Sequence, residues 1–288
     1  MNIRTNLLRE IKKQYQKELA AFYGEQEAGS LMNVLVNHFF GLSRVDMSLK
    51  PDFRLTETEI LKLHFAVKDL KKEKPVQYII GETEFSGLKL KVTPDVLIPR
   101  PETEEMVELI VKDTLGKEKL KILDVGTGSG CIALALKKKL PFSVITAVDV
   151  SNAVLEVAKE NSRLNKLDVE LKNIDILDIS SWQKLDRFDL IVSNPPYVTE
   201  EDKVLMKKNV TDFEPHLALF VTNEDPLLFY SIIAEFAINH LIEGGSLWFE
   251  INENLGDEVL SLLQEKGFVN MALHADLFGR ARFVSSVR

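Results

Sequence analysis

The chain has 288 residues, 45% of them apolar, with 36 Lys and Arg against 44 Asp and Glu and a formal net charge of −8. That balance excludes a disordered chain, and it argues against broad electrostatic attachment to nucleic acid, which needs many cationic contacts to phosphate. One cysteine cannot form an internal disulfide, and no apolar run reaches the length of a membrane span or a signal-peptide core, so a cytoplasmic protein with no membrane attachment is expected.

Residues 1–75 hold 13 Lys and Arg against 10 Asp and Glu, leaving 23 against 34 for the remainder. Two domains with different partners would show this asymmetry, and so would a solvated helix surface. From Ile3 to Lys74 the pattern is helical. Leu7, Leu8, Ile11, Tyr15 and Leu19 share one face and Leu31, Leu35, Val36 and Phe39 another, with breaks at Gly24, Gly41 and Pro51. Thr56 followed by Glu59 has the spacing of a capping box opening a further helix. Residues 1–74 are therefore expected to form a small helical bundle domain. Residues 75–99 alternate apolar and polar positions about Gly81 and Gly87, which predicts a β-hairpin connector.

Residues 100–288 form the third segment. A helix over about 102–115 precedes a strand at 120–125, a glycine turn, a helix at 130–139, a strand at 143–149 and a helix at 152–164. Further strands are expected at 169–174, 188–193 and 246–251, and the tail after Gly267 closes as a pair of strands. Alternating strands and helices predict an α/β fold of Rossmann-like type, with a mostly parallel sheet covered on both faces and an antiparallel last strand.

The apolar strand Leu120–Val125 runs directly into Gly126, Thr127, Gly128, Ser129 and Gly130, followed by an apolar helix. Such a turn brings backbone N–H groups and a helix N-terminus close to a polar ligand. Its GxGxG spacing differs from the GxGxxG dinucleotide fingerprint, and taken alone it also fits an ordinary strand-to-helix turn. Asp149 ends the next strand, where a carboxylate can accept hydrogen bonds from both ribose hydroxyls, although a solvent-facing acid would look the same. Asp175 ends the third strand as a candidate acceptor for an adenine amino group, with Ile176 placed to cover the ring. In that order the three strand ends describe an adenosine-containing ligand.

Asn194-Pro195-Pro196-Tyr197 follows the apolar strand FDLIVS. An isolated NPPY also suits a proline-stiffened strand exit, but here it resembles the signature of amino-methyltransferases. Their planar acceptor nitrogen has two N–H donors and a delocalised lone pair, so it has to be held rather than deprotonated. The Asn194 side-chain oxygen, which is expected also to meet the adenosine-containing ligand, and the Pro195 carbonyl can take those two donors. Proline contributes no competing N–H, and Tyr197 can offer its backbone N–H and its ring to the substrate.

Further motifs narrow the resemblance. Pro75-Val76-Gln77-Tyr78 with Gly81, IPRPETE at Ile98 to Glu104, the glycine turn, NPPY, Phe213-Glu214-Pro215 with Ala218-Leu219, and DLFGRAR at Asp276 to Arg282 are together similar to the release-factor glutamine N5-methyltransferase family over nearly the whole chain. The resemblance implies S-adenosylmethionine as cofactor, with S-adenosylhomocysteine as product. It also implies that the substrate is the glutamine of the Gly-Gly-Gln loop in class I peptide chain release factors, that the N-terminal domain grips that partner, and that Arg100, Pro101 and Glu102 line the site entrance. A monomer with no stable nucleic-acid partner is expected. FVTNEDP after Ala218 and EINENLG depart from the family pattern, which bears on loop shape and partner contacts. A DNA or RNA base amino-methyltransferase with the same NPPY clamp is the alternative, but it would need a basic groove. The five histidines lack metal spacing, and Cys131, Trp182 and Trp248 are read as packing residues.

Overall fold

The computed structural model describes residues 5–204, 206 and 208–288. Its contacts divide the chain into one unit of residues up to 81 with 208–213, and another of residues 82–207 with 214–288.

In the first unit α1 (Leu8–Phe40) is interrupted at Gly24 (φ 78°, ψ 165°), followed by α2 (Arg44–Leu49), α3 (Glu57–Leu70) and α4 (Val76–Ile80). Leu8, Ile11, Tyr15, Leu19, Met32, Leu35 and Val36 pack in one apolar core with Leu63, Val67 and Leu70. The capping box at α3 is present: Thr56 Oγ1 accepts from the Glu59 amide, and the Glu59 carboxylate accepts from the Thr56 amide. The hairpin is narrower than residues 75–99. Val76–Ile80 is helical because Gly81, at φ 76°, turns the chain in the left-handed region and its amide closes the turn on the Gln77 carbonyl, while Pro75 before it makes no side-chain cap. The strands are β1 (Glu82–Phe85) and β2 (Leu88–Lys91), paired antiparallel. They are fixed within the second unit by Asn161 of α7 (Asn152–Asn165), whose side chain accepts from the Lys91 amide (2.6 Å) and donates to the Lys91 carbonyl (3.0 Å).

The second unit is built on seven strands: β3 (Lys121–Val125), β4 (Val144–Asp149), β5 (Glu170–Asn173), β6 (Phe188–Ser193), β7 (Leu241–Glu250), β8 (Val269–Ala275) and β9 (Ala281–Val287). Their order is β5-β4-β3-β6-β7-β9-β8, parallel except that β9 runs antiparallel to both its neighbours. Successive residues of a strand enter different cores. Leu123, Val125, Val148 and Ile191 pack with the helices Leu228–His240 and Gly256–Glu265, while Ile122, Ala147, Leu190 and Val192 pack with α5 (Pro101–Asp113) and α6 (Cys131–Lys139). Burial on both faces explains why KILDV and FDLIVS read as nearly continuous apolar runs.

The register sets the functional edge. Val125 lies opposite Val148 of β4 and Ser193 of β6, and Asp149 opposite Asn173 of β5, so four strands leave the sheet at one level. β4 flanks β3 on one side and β6 on the other, so the order reverses between β3 and β6. A crevice forms at such a point outside the carboxyl ends of the strands.

Candidate active site

The glycine turn leaves β3 in a strained but well-paired conformation. Gly126, Gly128 and Gly130 all have positive φ, at 71°, 56° and 82°, and the Gly126 and Thr127 amides both donate to the Val148 carbonyl. A Cβ on Gly126 or Gly128 would meet no atom within 4 Å, whereas one on Gly130 would stand 3.3 Å from the Ala158 Cβ. The first two glycines thus face open space and the third permits packing of α6 on α7.

Gly130 offers α6 no capping side chain, and a buried acid takes that place. Asp124 Oδ2 accepts from Thr127 Oγ1 at 2.6 Å and from the Ala133 amide at 3.2 Å. Burial, opposed by these two hydrogen bonds, lifts the Asp124 carboxyl from 3.8 to about 7. A group raised in this way stabilises the fold fully below its unfolded value, and that contribution is lost as pH rises through about 7. Asp124→Asn keeps one oxygen for both donors and does not ionise. It is expected to gain on the parent by on the order of 2–4 kcal/mol between about pH 4 and 8 in chemical denaturation. The variant's buried amide nitrogen sets the offset between the curves, and parallel curves would refute the assignment.

Asp149 is held by the turn it faces: its Oδ2 accepts from the Gly128 amide at 3.1 Å and its Oδ1 from the Ser151 amide at 3.0 Å. Burial raises its carboxyl above the usual range, while the amides of Ser151, Gly128 and Val150 oppose that shift. Each carboxylate oxygen has capacity for a second donor. Asp175 is exposed, and its Oδ1 accepts from the Leu177 amide, which leaves Oδ2 to meet a ligand; Ile176 beside it is buried.

A cavity of about 270 Å³ brings these groups together: Gly126, Gly128, Asp149, Asp175 and Ile176 share its wall with Asn194, Pro195 and Pro196. Thr127, Ser129 and Gly130 lie buried behind the turn, where the Ser129 carbonyl accepts from Asn161. Sequence reasoning missed the other wall, made by Leu97 before α5, by Leu217 and by Phe229. Leu97 and Leu217 lie in irregular or single-turn segments and Phe229 opens a helix that is apolar nearly all round, so none carries a periodic signal and only the fold reveals them.

Asn194 leaves β6 where the Ser193 hydroxyl donates to the Val125 carbonyl at 2.8 Å, which holds the β3 and β6 exits together. The chain beyond the NPPY turn is fixed by Val198, which pairs with Leu219 and Val221. The Tyr197 ring packs against the core around Tyr230 and Phe249, and its hydroxyl stands 3.5 Å from Glu250 Oε1. Burial pushes the Tyr197 phenol well up, so it stays protonated. Asn194 Nδ2 donates to Thr103 Oγ1 at 3.4 Å, and Thr103 Oγ1 donates to Glu250 Oε2 at 2.6 Å.

Arg100, Pro101 and Glu102 open α5, with Arg100 at the N-cap and Pro101 in the first turn. They stand outside the cavity wall. Arg100 is paired at 2.6 Å with Glu214, whose buried carboxylate also accepts from the Ile98 amide at 3.1 Å, so Glu214 straps the segment before α5 to the loop after NPPY. Cys131 has its thiol pushed up to about 12 by burial and by nearby Asp124, so it is no nucleophile at neutral pH. Among the described residues no cluster of His, Cys, Asp or Glu could hold a metal, and no helix is long and apolar enough to cross a membrane.

The sheet order, the glycine turn and the strand-end acids together define a class I methyltransferase fold. The Methyltransferase small domain family matches residues 103–217, and the PrmC N-terminal domain family matches residues 10–81. A methyltransferase of Pyrococcus furiosus has the same fold, at TM-score 0.51 and 19% identity over 81% of this chain and 98% of that one. The release factor glutamine methyltransferase of Flavobacterium psychrophilum is 43% identical over 96% of this chain and 98% of its own length. That of Bacteroides thetaiotaomicron is 38% identical over 95% and 97%. The chain belongs to the release factor glutamine methyltransferase family.

Proposed function

We propose that the protein methylates the side-chain amide nitrogen of the Gly-Gly-Gln glutamine in class I peptide chain release factors, with S-adenosylmethionine as donor. The reading rests chiefly on one cavity wall that carries both an adenosine-compatible set, Gly126, Gly128, Asp149, Asp175 and Ile176, and the Asn194-Pro195-Pro196 turn. The two glycines suit that cofactor, because side chains there would occupy the space its amino acid portion needs. When bound, the cofactor's sulfonium supplies the methyl carbon, and the sulfur leaves as the thioether of S-adenosylhomocysteine.

The chain's own residues bind and align. Asp149 accepts from the ribose hydroxyls, Asp175 from the adenine amino group, and Ile176 covers the ring. Asn194 Oδ1 and the Pro195 carbonyl each accept one N–H of the glutamine amide, so that its nitrogen faces the methyl carbon. The Tyr197 ring is packed in the core and stands outside the cavity wall, which leaves its backbone N–H to meet the substrate carbonyl, and Arg100, Pro101 and Glu102 border the entrance. Alignment of this kind can supply about 7–11 kcal/mol of the barrier without a strong base. The helical unit that precedes the catalytic one takes the release factor.

The direct test supplies labelled S-adenosylmethionine with a release factor, with the same factor carrying alanine for the loop glutamine, or with nucleic acid. Label is expected on the intact release factor only. Label on nucleic acid would overturn the substrate assignment and leave the cofactor reading standing.

A further inference from the structure

The chemistry ascribed to Asn194 requires its amide to face one way, with oxygen toward the acceptor nitrogen and NH2 away from it. The two ends of a carboxamide are nearly isosteric, so shape alone does not choose between them, and a flipped Asn194 would present two donors to an acceptor that is itself a donor. Something has to impose the orientation, and the residues behind the turn do so.

Glu250 ends β7 and is 2% exposed, and Thr103, in the first turn of α5, is also 2% exposed. The pairing of Ser193 with Phe249 brings the exits of β6 and β7 side by side, which sets Asn194 next to Glu250. Thr103 stands between them, 2.6 Å from Glu250 Oε2 and 3.4 Å from Asn194 Nδ2. Burial lifts the Glu250 carboxyl to about 7, against the Thr103 and Tyr197 hydrogen bonds and nearby Arg282. Ionised above that pH it only accepts, so the single hydroxyl hydrogen of Thr103 is committed to Glu250, and the Thr103 oxygen can then only accept. Of the two ends of Asn194, only Nδ2 can donate to it. Oδ1 is left for the substrate. Glu250 also stands 3.5 Å from the Tyr197 hydroxyl, so one buried carboxylate supports the NPPY turn at both ends.

We infer that Thr103 and Glu250 are positioning residues, a one-way hydrogen-bond relay from Glu250 through Thr103 that fixes the side-chain amide of Asn194 with its oxygen facing the methyl-accepting nitrogen. The inference rests on the role given to Asn194 above. Neither residue touches substrate or cofactor in this arrangement, and the relay acts on turnover through Asn194 alone.

Thr103→Val removes the hydroxyl at nearly constant volume. It is expected to lower kcat for release-factor methylation by about 10- to 100-fold, with the KM for S-adenosylmethionine nearly unchanged, because a small misplacement of an aligning group costs about that much. Thr103→Ser restores the hydroxyl and is expected to recover most of the turnover. In a double-mutant cycle, adding Thr103→Val to Asn194→Ala is expected to cost nothing further, whereas a role in packing alone would multiply the two losses. Full kcat in Thr103→Val, failure of Thr103→Ser to recover turnover, or multiplicative losses in the double variant would each overturn the relay. If Thr103→Val does not fold, Thr103→Ala takes its place, and failure of both to fold would assign Thr103 to the scaffold and end the proposal. Full activity of Asn194→Ala by itself would sink the prior reading of Asn194, an outcome distinct from these.

Discussion

Asn194→Ala is expected to lower kcat for methylation of the release factor by about 100-fold or more, the usual cost of removing one preorganised polar group aimed at the reacting atoms. The affinity for S-adenosylhomocysteine should remain within severalfold, because Asp149 and the glycine turn are held by contacts that do not pass through Asn194. The variant should also fold. Asn194 is only half-buried, among the described residues its side chain makes only the long bond to Thr103, and that hydroxyl keeps its bond to Glu250. Single-turnover kinetics with saturating cofactor, alongside titration calorimetry with S-adenosylhomocysteine, separate the two quantities. A parallel fall in both would mean that Asn194 holds the cofactor more than the substrate, and undiminished kcat would remove it from the chemistry.

The parts of this arrangement visible in sequence are those whose physics is local. A buried parallel strand is an unbroken apolar run, a tight turn demands glycines at fixed spacing, and a stiff strand exit shows its prolines, so β3, β4, β6, the glycine turn and NPPY could be placed from residues alone. The helix Leu228–His240 gave no such sign. Its sequence, LFYSIIAEFAINH, is apolar nearly all round, and the 3.6-residue stripe that marks a half-buried helix is missing.

The supporting acids were hidden for a different reason. Thr103 and Glu250 are 147 positions apart, and Glu214 lies 114 from Arg100, so nothing in either neighbourhood announces the partner. Asp124 was the exception. An acid inside KILDV, on a strand otherwise buried on both faces, costs too much to be idle, and its position two residues before Gly126 could have marked it as the cap of α6. The hairpin differed for a local reason: alternation through PVQYIIG resembles a strand, and only the left-handed Gly81 makes Val76–Ile80 a closed helical turn.

Asp149→Ala should give the opposite kinetic signature to Asn194→Ala. Two charge-assisted hydrogen bonds to vicinal ribose hydroxyls contribute on the order of 1.5–3 kcal/mol each before the loss of competing water bonds, so a net weakening of cofactor binding by about 100-fold is expected. At saturating S-adenosylmethionine most of kcat should return, because the substrate-facing turn hangs on Ser193, Thr103 and Glu250 rather than on Asp149. The Gly128 and Ser151 amides lose their acceptor as well, so some of the weakening will reflect a loosened glycine turn. Asp149→Asn distinguishes the two contributions. Its side-chain oxygen can still take one of those amides, and its NH2 can donate to one hydroxyl, but it presents no charge, so an affinity between parent and alanine variant points to direct ribose contact. If Asp149→Ala bound S-adenosylhomocysteine as tightly as the parent, the acid would serve the turn alone, and the adenosine half of the site would need a different anchor.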